Sequence, residues 1–404
     1  MKMPLTDDVR LEFPFYRFYN DDICYLDNAA TSMCCDYAFT ESNLSNIQYH
    51  ANPFRGTYPL SEQATDQYEE SRKAVAEFIG AEPEEIIFTR NATESLNLAA
   101  WMLKKIYPDA DALISETCHH SAVFPFLWLD LRNECASYIR PDVLDGSLGY
   151  CSVAKEITTH PAAKFLVIDH VSNVLGNTNS LKEITKFAHD NGLLVVADGA
   201  QSVPHMPVDV KDLDVDFLAF SGHKMCAPMG IGVLYGKKHI LDMAWPMFTG
   251  GGMVADYKAM NDITWERPPH RFEAGTPNAS GAAALAGACR MYKKYGFDQI
   301  MKRERILTNK LVNGLNAIDK VRILGSPCPR DHLSVVSFTV DGYEPNEIGE
   351  LLGEKDICIR TGYHCARPLH ILMNEGKPSC RASVMFYNTE DEIELFLKTL
   401  KEII

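Results

Sequence analysis

The chain has 404 residues, 46% of them hydrophobic and 23% charged, with a formal net charge of −15. That length is too great for one ordinary core and predicts two lobes of unequal size. The acidic balance argues against nucleic acid or an anionic membrane as partner, though a small anionic ligand stays open because a local field can oppose the net charge. Twelve cysteines are scattered along the chain without a C-x-x-C pair. They predict neither a zinc site nor a disulfide framework, and they suit a reducing compartment. Residues 1–19 carry Asp7, Asp8 and Glu12 and lack a long apolar stretch, and no apolar run approaches the length of a membrane span. A cytoplasmic enzyme without a bound metal is expected.

In chain order, 85–90 (EIIFTR) reads as a strand and 91–100 as the start of a helix. Short strands are expected at 112–115 and 137–140. The nearly continuous apolar run 164–171 (KFLVIDHV) predicts a strand buried on both faces. Residues 180–191 form a helix, with Ser180 and Glu183 as a capping box, Leu181, Ile184, Phe187 and Ala188 on one face, and Gly192 at its end. Further strands follow at 193–197 (LLVVA), 217–220 and 232–235. This alternation implies an α/β fold with a mostly parallel sheet between helices. The tail reads differently. Helices are expected at 279–295 and 297–318, then strands at 321–324, 334–340, 357–360 and 382–387. A last helix is capped by Thr389 and Glu392. The expected division is a large domain over 20–275 and a small α+β domain made of 1–19 with 276–404.

Two strand ends carry chemistry. The strand in 195–201 (VVADGAQ) ends on Asp198, and ligands of parallel α/β sheets bind at carboxyl ends of strands. The strand in 217–224 (FLAFSGHK) runs into Ser221, Gly222, His223 and Lys224. An isolated Asp there is ordinarily a helix cap, and an isolated Lys a solvated loop residue. Together they suggest more: a desolvated lysine is a nucleophile for carbonyl chemistry, and an acid that pairs a pyridinium nitrogen is its usual companion in pyridoxal-phosphate enzymes. The strand-to-helix junction 90–95 (RNATES) offers backbone amides and the Thr93 hydroxyl for a phosphate.

With 26–31 (LDNAAT), 272–278 (FEAGTPN) and 360–368 (RTGYHCARP) added, the chain resembles the class V aminotransferase group of fold-type I pyridoxal-phosphate enzymes. The resemblance is nearer to the SufS-like (group II) cysteine desulfurases and selenocysteine lyases, and it runs from about residue 10 to the C-terminus. It implies that Lys224 carries the cofactor as a Schiff base, Asp198 pairs its ring nitrogen, and Gln201 contacts its phenolic oxygen. His119 is implied to stack on the ring and relay protons, and Thr93, Ser221 and His223 to hold the phosphate. Asn173 would face substrate and cofactor, and Arg381, with Arg360 as a second cation, the substrate carboxylate. Thr276 would reach the phosphate of a second subunit, hence a homodimer. Cys365 would take sulfur from L-cysteine as a persulfide, leaving alanine, and pass it to an acceptor protein resembling SufE or SufU. His364 and the arginines are expected to favour its thiolate.

Several positions depart from the family pattern. Phe54 and Tyr58 stand where His is usual, Cys118 where Glu commonly precedes the stacking histidine, Tyr363 where His is usual, and Arg367 between Ala366 and Pro368. They leave substrate choice and acceptor identity open, and the destination of the sulfur too, iron–sulfur clusters or elsewhere. The alternatives are a selenocysteine lyase, another class V reaction (aminotransferase, epimerase or kynureninase-like β-lyase), which has no use for Cys365, or a non-catalytic sulfur carrier. The last predicts a lost lysine or acid, and neither is lost.

Overall fold

The computed structural model describes residues 5–19, 22–129, 136–259 and 262–404; Cys135 lies outside them. Seven strands build the central sheet: β1 (Ile86–Thr89), β2 (Asp111–Ser115), β3 (Ala136–Ile139), β4 (Ala163–Asp169), β5 (Leu194–Asp198), β6 (Phe217–Ser221) and β7 (Gly232–Gly236). Their order is β1-β7-β6-β5-β4-β2-β3. β7 is antiparallel to both its neighbours and the other pairs are parallel. Successive residues of β5 face opposite layers. Val195 packs with Leu181 and Ile184 of the helix Leu181–Asp190 and with Leu285 of the helix Ala279–Tyr295, whereas Val196 packs with Leu96 and Phe126 of the helices Ala92–Ile106 and His120–Trp128. A strand covered on both faces needs apolar side chains at every position, which is why these runs do not alternate.

Beyond a hairpin of β8 (Val254–Ala259) and β9 (Asp262–Trp265), the second lobe has an antiparallel sheet. Its strands are β10 (Val321–Ile323), β11 (Val335–Val340), β12 (Arg360–Gly362) and β13 (Ser379–Ser383), in the order β10-β11-β13-β12. Leu307 and Leu311 of the helix Phe297–Asn316 and Phe396 of the helix Glu390–Ile403 cover it. Both seams share chain. Ala284, Leu285 and Met291 enter the large-sheet core, while Cys24 and Leu26 enter the small one. The N-terminal segment packs Phe13 against Tyr387, ring centroids 4.4 Å apart, and joins Arg10 to Glu392 of the last helix at 2.8 Å.

Three local expectations need correction. The strand expected at 382–387 is β13, which stops at Ser383, because Ser383 N–H turns to the Leu26 carbonyl at 2.7 Å. The apolar residues beyond it, Met385 to Tyr387, serve the large-lobe core instead. The single strand expected at 357–360 is two: Ile357–Cys358 runs parallel to Cys24–Tyr25, and β12 pairs with β13. The capping box at Ser180 does not form. Its side chain makes no cap bond, and Leu181 N–H donates to the Asn179 carbonyl at 2.7 Å. The box at Thr389 and Glu392 does form.

One buried ion pair anchors the segment that carries Thr276. The Arg72 guanidinium, wholly buried, meets Glu273 at 2.7 Å. The same carboxylate accepts from Phe88 N–H at 2.8 Å and from Tyr68 O–H at 2.8 Å. Removing one member of such a pair leaves the other charge uncompensated. Glu273→Ala is therefore expected to cost about 3–5 kcal/mol in urea unfolding. Glu69→Ala, which removes Arg72's partly exposed second partner, should cost under about 1 kcal/mol.

Candidate active site

β4, β5 and β6 end side by side on Asp169, Asp198 and Ser221. The chain leaves β6 in a single tight turn, Gly222–Lys224. A cavity of about 220 Å3 opens at these ends, lined by every residue given a cofactor, substrate or sulfur role above except Thr276. The helix Ala92–Ile106 begins at its wall. Asn91 caps the helix by accepting from Glu94 N–H at 3.0 Å, and Ala92 N–H donates to Ser221 Oγ at 2.8 Å. Only glycine lets β7 lie against this start: a Cβ on Gly232 would stand 2.5 Å from Asn91 Cα. Thr93, its hydroxyl 2.7 Å from Ser121 Oγ, thus comes to the cavity beside Ser221 and His223.

Burial dominates the electrostatics. It pushes Lys224 down to about 8, against the pull of Asp198 and with help from Arg381 and Arg360. Burial likewise raises Asp198, although the Ala200 amide, 3.0 Å from its Oδ1, and Lys224 both favour the anion. His119 is pushed down to about 3, mainly by burial and then by Lys224. Its Nδ1 accepts from Ser121 N–H at 3.1 Å, so the neutral ring keeps its proton on Nε2. His223 goes down to about 4 by burial and by Lys224, with Nδ1 2.6 Å from Thr31 Oγ1. Gln201 Nε2 donates to the Ala29 carbonyl at 2.8 Å, while its Oε1 is buried without a partner.

The opposite wall comes from the small lobe. Arg381, on β13, is 2% exposed. It donates to the Asn173 carbonyl at 2.9 Å and to Asp27 Oδ1 at 3.2 Å, while its Nε is buried and unpartnered. Cys365 follows β12 in a loop where His364 (φ 48°) and Cys365 (φ 56°) are both left-handed. Two bonds from the large lobe hold that loop: Asn173 Nδ2 to the His364 carbonyl at 2.8 Å, and His120 N–H to the Cys365 carbonyl at 2.7 Å. Cys365 is exposed, unlike Cys24, Cys35, Cys118, Cys226, Cys289 and Cys380, which are buried.

His364 does not charge that thiol as expected. It is buried, its Nε2 lies 3.1 Å from Ser379 Oγ, and burial with nearby Arg381 holds it far below the usual histidine range. The positive charge facing Cys365 comes from Lys224 and Arg381. Thr276 lies elsewhere, in a second cleft with Arg55, Gly252 and His270. Two carboxylates at the site escaped the sequence reading: Asp169, which lines the cavity, and Asp27, which holds Arg381 from behind it. Asp169 could have been found, since it ends a buried strand as Asp198 does. Among the described residues no helix is long and apolar enough to cross a membrane, and no group of three or more His, Cys, Asp or Glu is placed to hold a metal ion.

Comparison with known proteins gives one answer along the whole chain. The model of the Aminotransferase class-V family matches residues 24–396. A protein of Pyrococcus abyssi named probable cysteine desulfurase is 38% identical over 405 residues, covering 100% of this chain and 98% of its own. A cysteine desulfurase of Haloferax volcanii is 38% identical over 410 residues, covering 96% and 94%. The solved apo structure of a cysteine desulfurase from Thermococcus onnurineus superposes with a TM-score of 0.93 at 38% identity, covering 100% of this chain and 98% of that one. The chain belongs to the class-V aminotransferase family.

Proposed function

We propose that the protein is a pyridoxal-phosphate-dependent cysteine desulfurase, which converts L-cysteine to L-alanine and holds the sulfur as a persulfide on Cys365. The relatives named cysteine desulfurase support the reaction. The observation that carries it is an exposed thiol sharing one cavity with a half-buried lysine, whose ammonium form desolvation disfavours, and a buried arginine.

The cavity's own groups fit the cofactor. Gln201 has an oxygen without a donor and an amide nitrogen with one N–H beyond that given to Ala29. Asp198 is a buried acid at a strand end, and Thr93, Ser221 and the start of the helix Ala92–Ile106 suit a phosphate. When bound, the cofactor supplies an electron sink for a carbanion at the substrate Cα. Lys224 would hold it and, when free, would take the Cα proton on Nζ. Asp198 would pair with its ring nitrogen. His119, neutral with its proton on Nε2, would cover it and could pass that proton on. Arg381 spends two nitrogens on Asn173 and Asp27 and keeps Nε for the substrate carboxylate; Arg360 is the second cation. Cys365 Sγ then bonds to the substrate sulfur while the carbon–sulfur bond breaks, its electrons staying with the three-carbon fragment. An acceptor thiol on a partner protein removes the sulfur from an exposed position.

Thr276, outside this cavity, is assigned to the site of a second copy, so the working unit is a homodimer. Sedimentation should show two chains per particle, and Thr276→Val should weaken cofactor retention without separating them.

Three variants test the chemistry. Lys224→Ala should abolish the visible absorption band of covalently held pyridoxal phosphate. Cys365→Ser should keep the band yet bring alanine and sulfide from L-cysteine to background. A Cys365→Ser protein as active as wild type would sink the desulfurase reading. Arg381→Lys keeps the charge but loses the fork. It should raise KM for cysteine roughly 10- to 100-fold, the equivalent of one hydrogen bond to a charged group.

A further inference from the structure

Asp169 ends β4 directly opposite Asp198 in the parallel register of β4 and β5. It is 3% exposed and lines the cavity, yet no role above uses it. Its Oδ1 accepts from the Thr117 hydroxyl and, at 3.6 Å, from the Cys118 thiol. Oδ2 is buried with no partner. Thr117 and Cys118 form the turn that leads directly into His119, whose ring caps the helix His120–Trp128. Cys118 occupies the position where Glu commonly stands. In this chain the carboxylate at that turn comes from the neighbouring strand instead.

We propose that Asp169 is a positioning residue of the active site, whose carboxyl group clasps the Thr117–Cys118 turn that aims His119 and places a second carboxyl beside Asp198. The inference rests on the proposed function for what His119 and Asp198 do. Two carboxylates at paired strand ends inside a dry cavity cannot both be ionised cheaply. The titratable groups around Asp169 are Cys118 on the turn, His170 next in the chain, Asp198 on β5, and Lys224 beyond Asp198. Cys118 is held protonated and His170 neutral, both chiefly by burial. Asp169 is pushed up to about 6, first by burial, against the Thr117 hydrogen bond and with Asp198 adding to the rise. Lys224 acts on Asp198, which favours Asp198 as the ionised member.

The sign of the pH effect follows. A carboxyl whose folded pKa is raised binds more protons in the native state, so stability falls as pH rises from the unfolded value of about 4 through about 6. Asp169→Asn removes that loss. Its Tm relative to wild type, measured on apo protein, should climb by several degrees between pH 4 and pH 7. Thr117→Val should do the reverse and lose Tm relative to wild type over the same range, because it strips a donor from the ionised carboxyl. In protein loaded with pyridoxal phosphate, Asp169→Asn should also lower the pH midpoint of the visible band by about half a unit or more, a negative charge having been removed beside a cation. A purely structural Asp169 would shift Tm equally at every pH and leave the midpoint alone, and either result overturns the proposal. If Asp169→Asn does not fold, the Thr117→Val comparison decides alone. The Tm measurements need no cofactor. A wild-type protein that retains no pyridoxal phosphate would therefore defeat the proposed function while leaving the carboxyl pair to be judged separately.

Discussion

The desolvation of Lys224 is the constraint on which the rest of the site depends. An ammonium group loses its preference for the charged form where water is scarce. The dry place here is the end of a parallel sheet covered by helices on both faces. β4, β5 and β6 must all be apolar along their length to be covered so, and all must stop together. Their stopping points supply the polar groups: Asp169, Asp198, Ser221 and, one turn later, Lys224. The same shortage of water acts on the neighbours, raising the carboxyls and lowering His119 and His223. A cavity in which most groups favour neutrality can exchange protons near neutral pH without paying for large charge separations.

The second lobe's wall of this cavity is tied to the first lobe through backbone carbonyls. Carbonyls of His364 and Cys365 are held by Asn173 and by the His120 amide, and Arg381 grips the Asn173 carbonyl in return. Asn173 therefore serves both walls at once. Asp27, from the segment that crosses between the lobes, adds the one carboxylate in contact with Arg381 among the described residues. Position of the thiol loop and position of the Arg381 guanidinium are thus set by the same few bonds. A change in lobe packing would move both together.

Much of this was legible in the amino-acid sequence. Buried parallel strands announce themselves by unbroken apolar runs, and Asp198 and Lys224 stand where such runs end. What was hidden was mostly tertiary. The residues 382–387 look like strand because they are apolar, but Met385 to Tyr387 join the large-lobe core, where Phe386 and Tyr387 pack against Phe13, rather than pairing. His364 looks like a source of positive charge beside Cys365, and burial takes the charge away. Ser180 and Glu183 have the spacing of a capping box, yet the helix entry is settled by the Asn179 carbonyl. Asp169 followed the same rule as Asp198 and was passed over because no motif surrounded it. The fold supplies the surroundings of Thr276, a cleft shared with Arg55, Gly252 and His270, which no motif announced.

His364 and Cys365 are consecutive residues in the left-handed region. Each such residue costs about 1–2 kcal/mol unless it is glycine, or asparagine at lower cost. A chain selected for folding alone would put glycine at both positions, as this one does at Gly362 nearby. A Cys365→Gly protein would relieve the backbone at the moment it lost its thiol. At this one residue the ease of the backbone and the presence of an exposed thiol pull in opposite directions, and the identity of the side chain cannot be read as a solution to a folding problem.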